Sequence, residues 1–437
     1  MVSSRNNRKP LRFRKYLNTD VINIKRYCKD VDVTDVEFIK SCCFLYLDEK
    51  WKRRDVIGLF TRFSNYSFDE IRSIVNEEDY LPLYPIIETI ARHVSEQITS
   101  KKLNVSPIKY FVRIDGMNNK ERIIGVQDPL HQIFDYVVVE SLRVMFEAKI
   151  GVFQCASLPK KGQSYGKKHI EKWVKEDKTV YFAKGDITKC FPSIPHDKLK
   201  RLLARDVKND TILWLVNELI DMFGKEYRLK AKDGFRFVKA SDKGISIGSY
   251  LSQYLSNYYL SYAYRYASEQ LFKIRKTKKN GDVRVRLINH VLFYMDDFLL
   301  TGSSKKDLKK AMRMLVKYIY DFLGLVVKSF WKVCKISDTE PIDMMGFVFR
   351  KGRTIIRAKI FLKTRRYFLK ARKLLKKGLP IPEKLAYQCV SGYGWYKNTD
   401  SFKIRIKLGV DEIHEKCKRM ISYYSKSKRG EVYAIVV

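Results

Sequence analysis

Val291-Leu-Phe-Tyr-Met-Asp-Asp-Phe-Leu-Leu300 sets two adjacent carboxylates, Asp296 and Asp297, in the middle of an apolar, β-prone run. Core packing does not ask for them. A lone buried carboxylate costs several kcal/mol unless it is paired or holds a metal, and two side by side also repel each other. A cation is their natural partner. The run reads as a hairpin with arms at 291–294 and 298–300, which puts Met295, Asp296 and Asp297 at the tip and turns at least one carboxylate towards an adjoining cleft. An exposed Asp-Asp turn would satisfy the same letters without a cation, so the stretch needs a second clue.

That clue lies 110 residues earlier. Residues 178–183 read as a strand that delivers Gly185-Asp186-Ile-Thr-Lys-Cys-Phe191-Pro-Ser-Ile at its end. A single Asp after a strand is usually a cap or turn former. One carboxylate at a strand end and two at a hairpin tip, however, form the ligand set of a two-magnesium phosphoryl-transfer site. Mg²⁺ takes octahedral oxygen ligands, one ion activating the attacking 3′-hydroxyl and the other steadying the triphosphate. Adjacent antiparallel strands would bring Asp186, Asp296 and Asp297 together.

Composition narrows the substrate. The 437 residues are enough for two to four domains, and 45% hydrophobic content supports real cores. Lys plus Arg number 87 against 48 acids, a formal charge of +39 that calls for a polyanion, and 13% aromatics favour nucleic acid, whose bases stack on them. The cysteines at 28, 42, 43, 155, 190, 334, 389 and 417 include no C-x-x-C pair, which argues against a zinc ribbon or a disulfide framework and for a reduced, cytoplasmic protein. Six scattered histidines offer no zinc-ligand spacing. No apolar run approaches the ~18 residues of a membrane span, so no membrane partner is expected.

In chain order, residues 1–20 form a basic arm. Thr34-Asp-Val-Glu37 and Ser67-Phe-Asp-Glu70 read as capping boxes opening amphipathic helices, and after Pro82 and Pro85 another helix runs to about residue 100. Strands at 110–114 and 122–126 flank a Gly116-Met-Asn-Asn-Lys120 turn and lead into a helix at 132–147. The expected segments are 1–105, a basic arm and helical region; 106–350, carrying the chemistry; and 351–437, helical and basic. In the last of these, residues 358–379 carry a run of Lys and Arg with no acid, and Ile360, Tyr367, Phe368, Ala371, Leu374 and Leu375 fall on one helical face.

Tyr294-Met-Asp-Asp297, together with Asp186 and Phe191, resembles the palm of the reverse transcriptases, and the resemblance runs from about residue 120 to 400. Lys120-Glu-Arg122-Ile-Ile-Gly sits where that family's fingers carry cations towards the triphosphate, and Lys160-Lys-Gly-Gln-Ser164 resembles the next fingers segment. Gly244-Ile-Ser-Ile-Gly248-Ser-Tyr-Leu-Ser-Gln253-Tyr-Leu-Ser-Asn257 is similar to the template-positioning loop and helix, and Met344-Met345-Gly346-Phe347 to the primer grip. The resemblance implies an α/β right-hand polymerase with an antiparallel palm sheet, fingers, a helical thumb and an added helical N-terminal region. It implies Asp186, Asp296 and Asp297 as catalytic residues that hold two Mg²⁺, or Mn²⁺, with help from Ile187. It implies nucleotide contacts at Lys120, Arg122, Phe191, Gly248 and Gln253. For Phe191 the implied role is a gate that leaves no room for a 2′-hydroxyl. It also implies nucleic-acid contacts at Lys363, Arg365, Arg366, Lys370, Arg372 and Lys373. Implied partners are a structured RNA template, the DNA product and dNTPs, with a second copy or a small accessory protein as further candidates.

Departures from the family pattern matter too. Most reverse transcriptases have Pro-Gln-Gly where this chain has Ser246-Ile247-Gly248, so an apolar residue replaces a polar one on the template side. That form, and Ser391-Gly-Tyr-Gly-Trp395, resemble the diversity-generating retroelement enzymes, whereas extra helices around a bare palm resemble the defence-associated and abortive-infection groups. The family's lysine after a Gly-Leu segment is blurred in Gly324-Leu-Val-Val-Lys328-Ser-Phe-Trp-Lys332, leaving Lys328 and Lys332 as equal candidates. An RNA-binding scaffold with a polymerase fold and a template-independent DNA polymerase are the competing functions. The carboxylate cluster argues against the scaffold, which would gain nothing from it.

Overall fold

Asp35 rather than Thr34 opens the first helix, Val36–Leu47, accepting from the Glu37 and Phe38 amides, because the Thr34 hydroxyl is already spent on Asp32 at 2.6 Å. The second expected box does form: Ser67 and Glu70 cap Phe68–Glu77 reciprocally. The structure is a computed structural model that describes residues 26–114, 121–231, 234–277 and 281–427. The basic arm at 1–20 and the turn holding Lys120 lie outside the described residues. Among the described residues no helix is long and apolar enough to cross a membrane.

The chain forms two compact units: the first comprises residues up to Gly162, Ala183–Leu300 and Lys306–Lys332, and the second Gln163–Phe182, Thr301–Lys305 and Val333 onward. In the first, helix Val36–Leu47 packs on Tyr84–Thr99 and on Pro129–Ser141. Ile39, Cys43 and Tyr46 recur at helical spacing and are fully buried, as are Ile87, Ile90 and Val94 across from them. The expected helix at 132–147 starts earlier, at Pro129, because Asp128 caps it through the His131 amide, and it ends at Ser141, followed by a separate helix Arg143–Lys149.

Strands β1 (Lys109–Ile114) and β2 (Glu121–Val126) are the expected hairpin. β3 (Gln154–Cys155) and β4 (Tyr181–Asp186) follow, then β5 (Tyr227–Ala231) and β6 (Gly234–Val238), β7 (Phe272–Thr277) and β8 (Gly281–Arg286), and β9 (His290–Tyr294) and β10 (Asp297–Gly302). One sheet has the order β2-β1-β5-β6, with β1 parallel to β5. In the central sheet β4, β10, β9 and β3 lie side by side in that order, and β3 runs parallel to β9. Val291, Leu292, Phe293, Phe298, Leu299 and Leu300 are all buried, which is why these positions of the hairpin arms are apolar. β4 begins at Tyr181 rather than at residue 178, after a turn in which the Thr179 amide bonds the Glu176 carbonyl.

The second unit contains β11 (Val333–Lys335) and the antiparallel sheet β12 (Ile342–Met344), β13 (Phe347–Arg350) and β14 (Arg353–Ile356). The basic run forms helix Ala358–Lys376, which packs on Glu383–Lys397. Its buried face is Ile360, Thr364, Phe368 and Ala371; Tyr367, Leu374 and Leu375, expected on that face, are only half-buried.

Candidate active site

The Met295–Asp296 turn joins β9 to β10, so Asp297 opens the second strand and Asp296 sits at the tip. Met295 takes the left-handed conformation, φ 52°, that a two-residue turn between strands of this twist requires. The Ile187 amide donates to the Asp296 carbonyl at 3.0 Å, locking the end of β4, and with it Asp186, to the hairpin tip. Asp186, Asp296 and Asp297 are all half-buried, between core and solvent. Burial pushes the Cys190 thiol well up, and the charges of Asp296 and Asp186 push it the same way, so both carboxylates lie within electrostatic reach of one buried sulfur.

Lys328 addresses this site. Its ammonium lies 2.8 Å from both oxygens of Asp186, and its amide donates to the Asp186 carbonyl at 2.9 Å. A bridge between Ile187 and Val327, with the Thr188 amide on the Val326 carbonyl, holds the lysine segment alongside. The donor set, hard carboxylate oxygens with a cation already seated on one of them, suits Mg²⁺ or Mn²⁺. Among the described residues, no three His, Cys, Asp or Glu side chains close into a ready-made cage. The backbone thus brings the three aspartates into one neighbourhood.

The remaining candidates in the first unit gather around one loop. Phe191, half-buried in the short helix Cys190–Ser193, offers its carbonyl to the Ile245 amide, and Ile194 does the same for Gly244. Three residues on, the Ile247 carbonyl accepts from the Gly125 amide of β2. Gly248 follows at φ 118°, where a Cβ would stand 2.5 Å from the Gly125 oxygen, a place only glycine can occupy. Arg122 is exposed on β2, opposite Arg113, and Gln253 is half-buried in helix Tyr250–Glu269.

Of three buried polar residues that position this machinery, Asp135 and Gln154 escaped the sequence reading, and Asn257 entered it only as the last residue of the loop-and-helix motif. Asp135 accepts from Gln127 Nε2, Ser249 Oγ and the Leu251 amide at 3.2, 2.7 and 3.3 Å, fixing the start of helix Tyr250–Glu269; burial raises its carboxyl above the ordinary range. Asn257 donates to the Ala156 carbonyl at 3.3 Å and approaches Met295 Sδ at 3.6 Å, and Gln154 Nε2 donates to the Asn257 carbonyl at 2.9 Å. These contacts tie the helix to the catalytic turn. The visible cue was a lone Asp in the apolar helix 129–141.

In the second unit, Met345 and Gly346 form the turn between β12 and β13, at φ 54° and 83°. A Cβ on Gly346 would meet Trp395 at 2.5 Å and Ile360 at 2.8 Å, its carbonyl accepts from the Arg357 amide, and the Met345 carbonyl accepts from Gln163 Nε2. On helix Ala358–Lys376, Arg365, Arg366, Lys370 and Lys373 are exposed, Lys363 is half-buried, and Arg372 donates to the Lys407 carbonyl at 2.8 Å.

Residues 88–349, more than half of the chain, match the family model described as reverse transcriptase (RNA-dependent DNA polymerase). No curated protein matches the chain.

Proposed function

The chain belongs to the reverse transcriptase family of RNA-directed DNA polymerases, and on that premise we propose that it extends a DNA 3′ end at Asp186, Asp296 and Asp297 while copying a structured RNA. The family makes it a nucleotidyltransferase with a nucleic-acid template and dNTP substrates. When bound, two Mg²⁺ ions would supply Lewis-acid activation of the 3′-hydroxyl and charge stabilisation of the triphosphate. Asp186, Asp296 and Asp297, with the Ile187 carbonyl, hold that charge. Lys328 leaves its ion pair with Asp186 to face the triphosphate, where an ammonium can give a proton to departing pyrophosphate. Phe191 lies under the incoming sugar, its ring taking the space of a 2′-hydroxyl. Gly248 lets backbone approach the nascent pair, Gln253 contacts it from the helix, and Lys120 and Arg122 reach the phosphates. The Met345–Gly346 turn grips the primer, and Lys363, Arg365, Arg366, Lys370, Arg372 and Lys373 meet nucleic-acid phosphates.

The observation that carries this reading is the hydrogen bond from the Ile187 amide to the Asp296 carbonyl, which fastens the two carboxylate-bearing segments to each other. An RNA-binding scaffold would gain nothing from half-buried carboxylates held that way. Asp296→Ala/Asp297→Ala should lower nucleotide incorporation ~100-fold or more while RNA binding and melting stay as in wild type. Primer extension at the wild-type rate would overturn the assignment. The charge of +39 favours a dedicated RNA that stays bound at moderately high salt; recovery of a random cellular RNA sample instead would defeat that part. A place in antiphage defence or a bacterial retroelement belongs to the same proposal, and the genes flanking this one test it.

A further inference from the structure

Between helix Tyr250–Glu269 and the β9–β10 hairpin, the chain makes a two-stranded ribbon, β7 and β8, that among the described residues joins no other sheet. Two strands alone are marginally stable in water, and this pair is held at its base. Leu271 and Leu287 are buried beneath it, the Leu287 amide donates to the Leu271 carbonyl at 2.9 Å, the Arg286 guanidinium donates to the Ser268 carbonyl, and Lys273 pairs with Asp307 at 2.6 Å. Beyond that base the ribbon is cationic. Arg275, Lys276 and Arg284 face a single acid, Asp282, and the sequence adds Lys278 and Lys279 between the strands. Arg275, Lys276 and Arg284 are exposed, and so is Ile274, opposite Arg284, at 61%. Like charges concentrated on so little structure repel one another unless a polyanion is present.

The ribbon stands well away from the carboxylates. β9 leads from it to the catalytic turn, and its five residues span about 17 Å. The neighbouring helix gives the same answer: from Asn257, beside Met295, to its end at Glu269 is twelve residues, about 18 Å. The cations of β7 and β8 therefore do not serve the reacting phosphates.

We propose that this ribbon docks a base-paired segment of the RNA, at a site separate from the phosphoryl-transfer centre; the choice of partner rests on the polymerase reading. The single aromatic of the ribbon, Phe272, is covered by Arg284 at 4.7 Å, so it offers no platform for stacking unpaired bases. What it offers is a row of charge on a narrow, two-stranded support. That fits the phosphates on either side of the wide, shallow minor groove of an A-form duplex.

The test is fluorescence anisotropy of the full chain with a labelled RNA hairpin carrying no primer end, comparing wild type with Arg275→Ala/Lys276→Ala/Arg284→Ala across a salt series. Three phosphate contacts at the duplex slope of about 0.9 each predict roughly 150-fold weaker binding at about 0.15 M salt and a log–log slope shallower by about 2.7. Single-stranded RNA and a DNA hairpin should show a smaller loss. Arg275→Lys/Arg284→Lys, which keeps the charge, should bind as wild type and guards against a folding artefact in the alanine variant. Incorporation by wild type on a minimal primer–template tests the polymerase reading separately, and the alanine variant should match it there. An unchanged affinity and slope in the alanine variant overturns the docking site. An equal loss for all three nucleic acids overturns its assignment to duplex RNA.

Discussion

Replacing Gly248 by alanine tests whether the loop behind the template helix is as tightly set as its geometry says. The added methyl meets the Gly125 carbonyl oxygen at 2.5 Å and Ile124 Cγ2 at 3.3 Å, on a backbone at φ 118°. Holding a side chain in so sparse a region costs about 1–3 kcal/mol. The oxygen cannot simply retreat, because the adjacent Gly125 amide is bonded to the Ile247 carbonyl at 2.8 Å, and giving up that bond costs a further 0.5–1.5 kcal/mol or so. The sum is about 1.5–4.5 kcal/mol, released either by local unfolding or by a shift of β2 away from the loop. Gly58 is the matched control. It lies within helix Arg54–Arg62 with nothing within 4 Å of its Cβ, so Gly58→Ala should stabilise by about 0.5–1 kcal/mol. Urea denaturation followed by circular dichroism reads both, and primer extension reads the first. Opposite shifts of the two midpoints, with incorporation impaired in Gly248→Ala alone, are expected. Shifts of the same sign, or a Gly248→Ala protein that melts and extends like wild type, would refute the reasoning.

Phe191→Val should raise ribonucleotide use relative to deoxynucleotide use in single-nucleotide incorporation; unchanged discrimination would place the gate elsewhere. Lys328→Ala should slow incorporation by at least about ten-fold and Lys332→Ala by much less, since Lys328 is paired with Asp186; equal losses would remove the distinction. His131 is fully buried, and burial lowers its pKa below the ordinary 6.5, so the unfolded chain binds the proton more readily than the folded one. Its contribution to stability is therefore complete above about pH 6.5 and is lost as pH falls below it. Denaturation midpoints at pH 8 and pH 5.5 should differ less in His131→Gln than in wild type.

The hairpin tip was legible because its chemistry contradicts its surroundings: Asp296 and Asp297 interrupt a run whose apolar arms, 291–293 and 298–300, are buried. Asp186 was legible for the same reason, as a carboxylate at the end of a strand, although the strand begins at Tyr181 because residues just before it are taken by a turn. Thr34 misled because capping letters do not say which neighbour claims the hydroxyl, and Asp32 does. Asp135 was illegible. Its partners Ser249 and Leu251 lie more than a hundred residues away, and only the fold makes it the anchor of a helix. The parallel pairing of β1 with β5 was hidden likewise, since no local pattern specifies a partner so distant in the chain. The choice between Lys328 and Lys332 needed the Ile187–Val327 bridge, which sets the register of the lysine segment against Asp186.

Helix Tyr250–Glu269 is pinned at Ser249 and Leu251 by Asp135 and at Asn257 by the residues around the catalytic turn. Between those pins it acts as a gauge block of fixed length, about 9 Å from Leu251 to Asn257. One residue inserted there would advance Asn257 by about 1.5 Å and rotate it by about 100°, swinging its amide off the turn. That interval therefore does not tolerate a change of length. The ribbon that follows the helix is clamped at its base, beyond the second pin, and its strands can lengthen or shorten in register without disturbing the gauge.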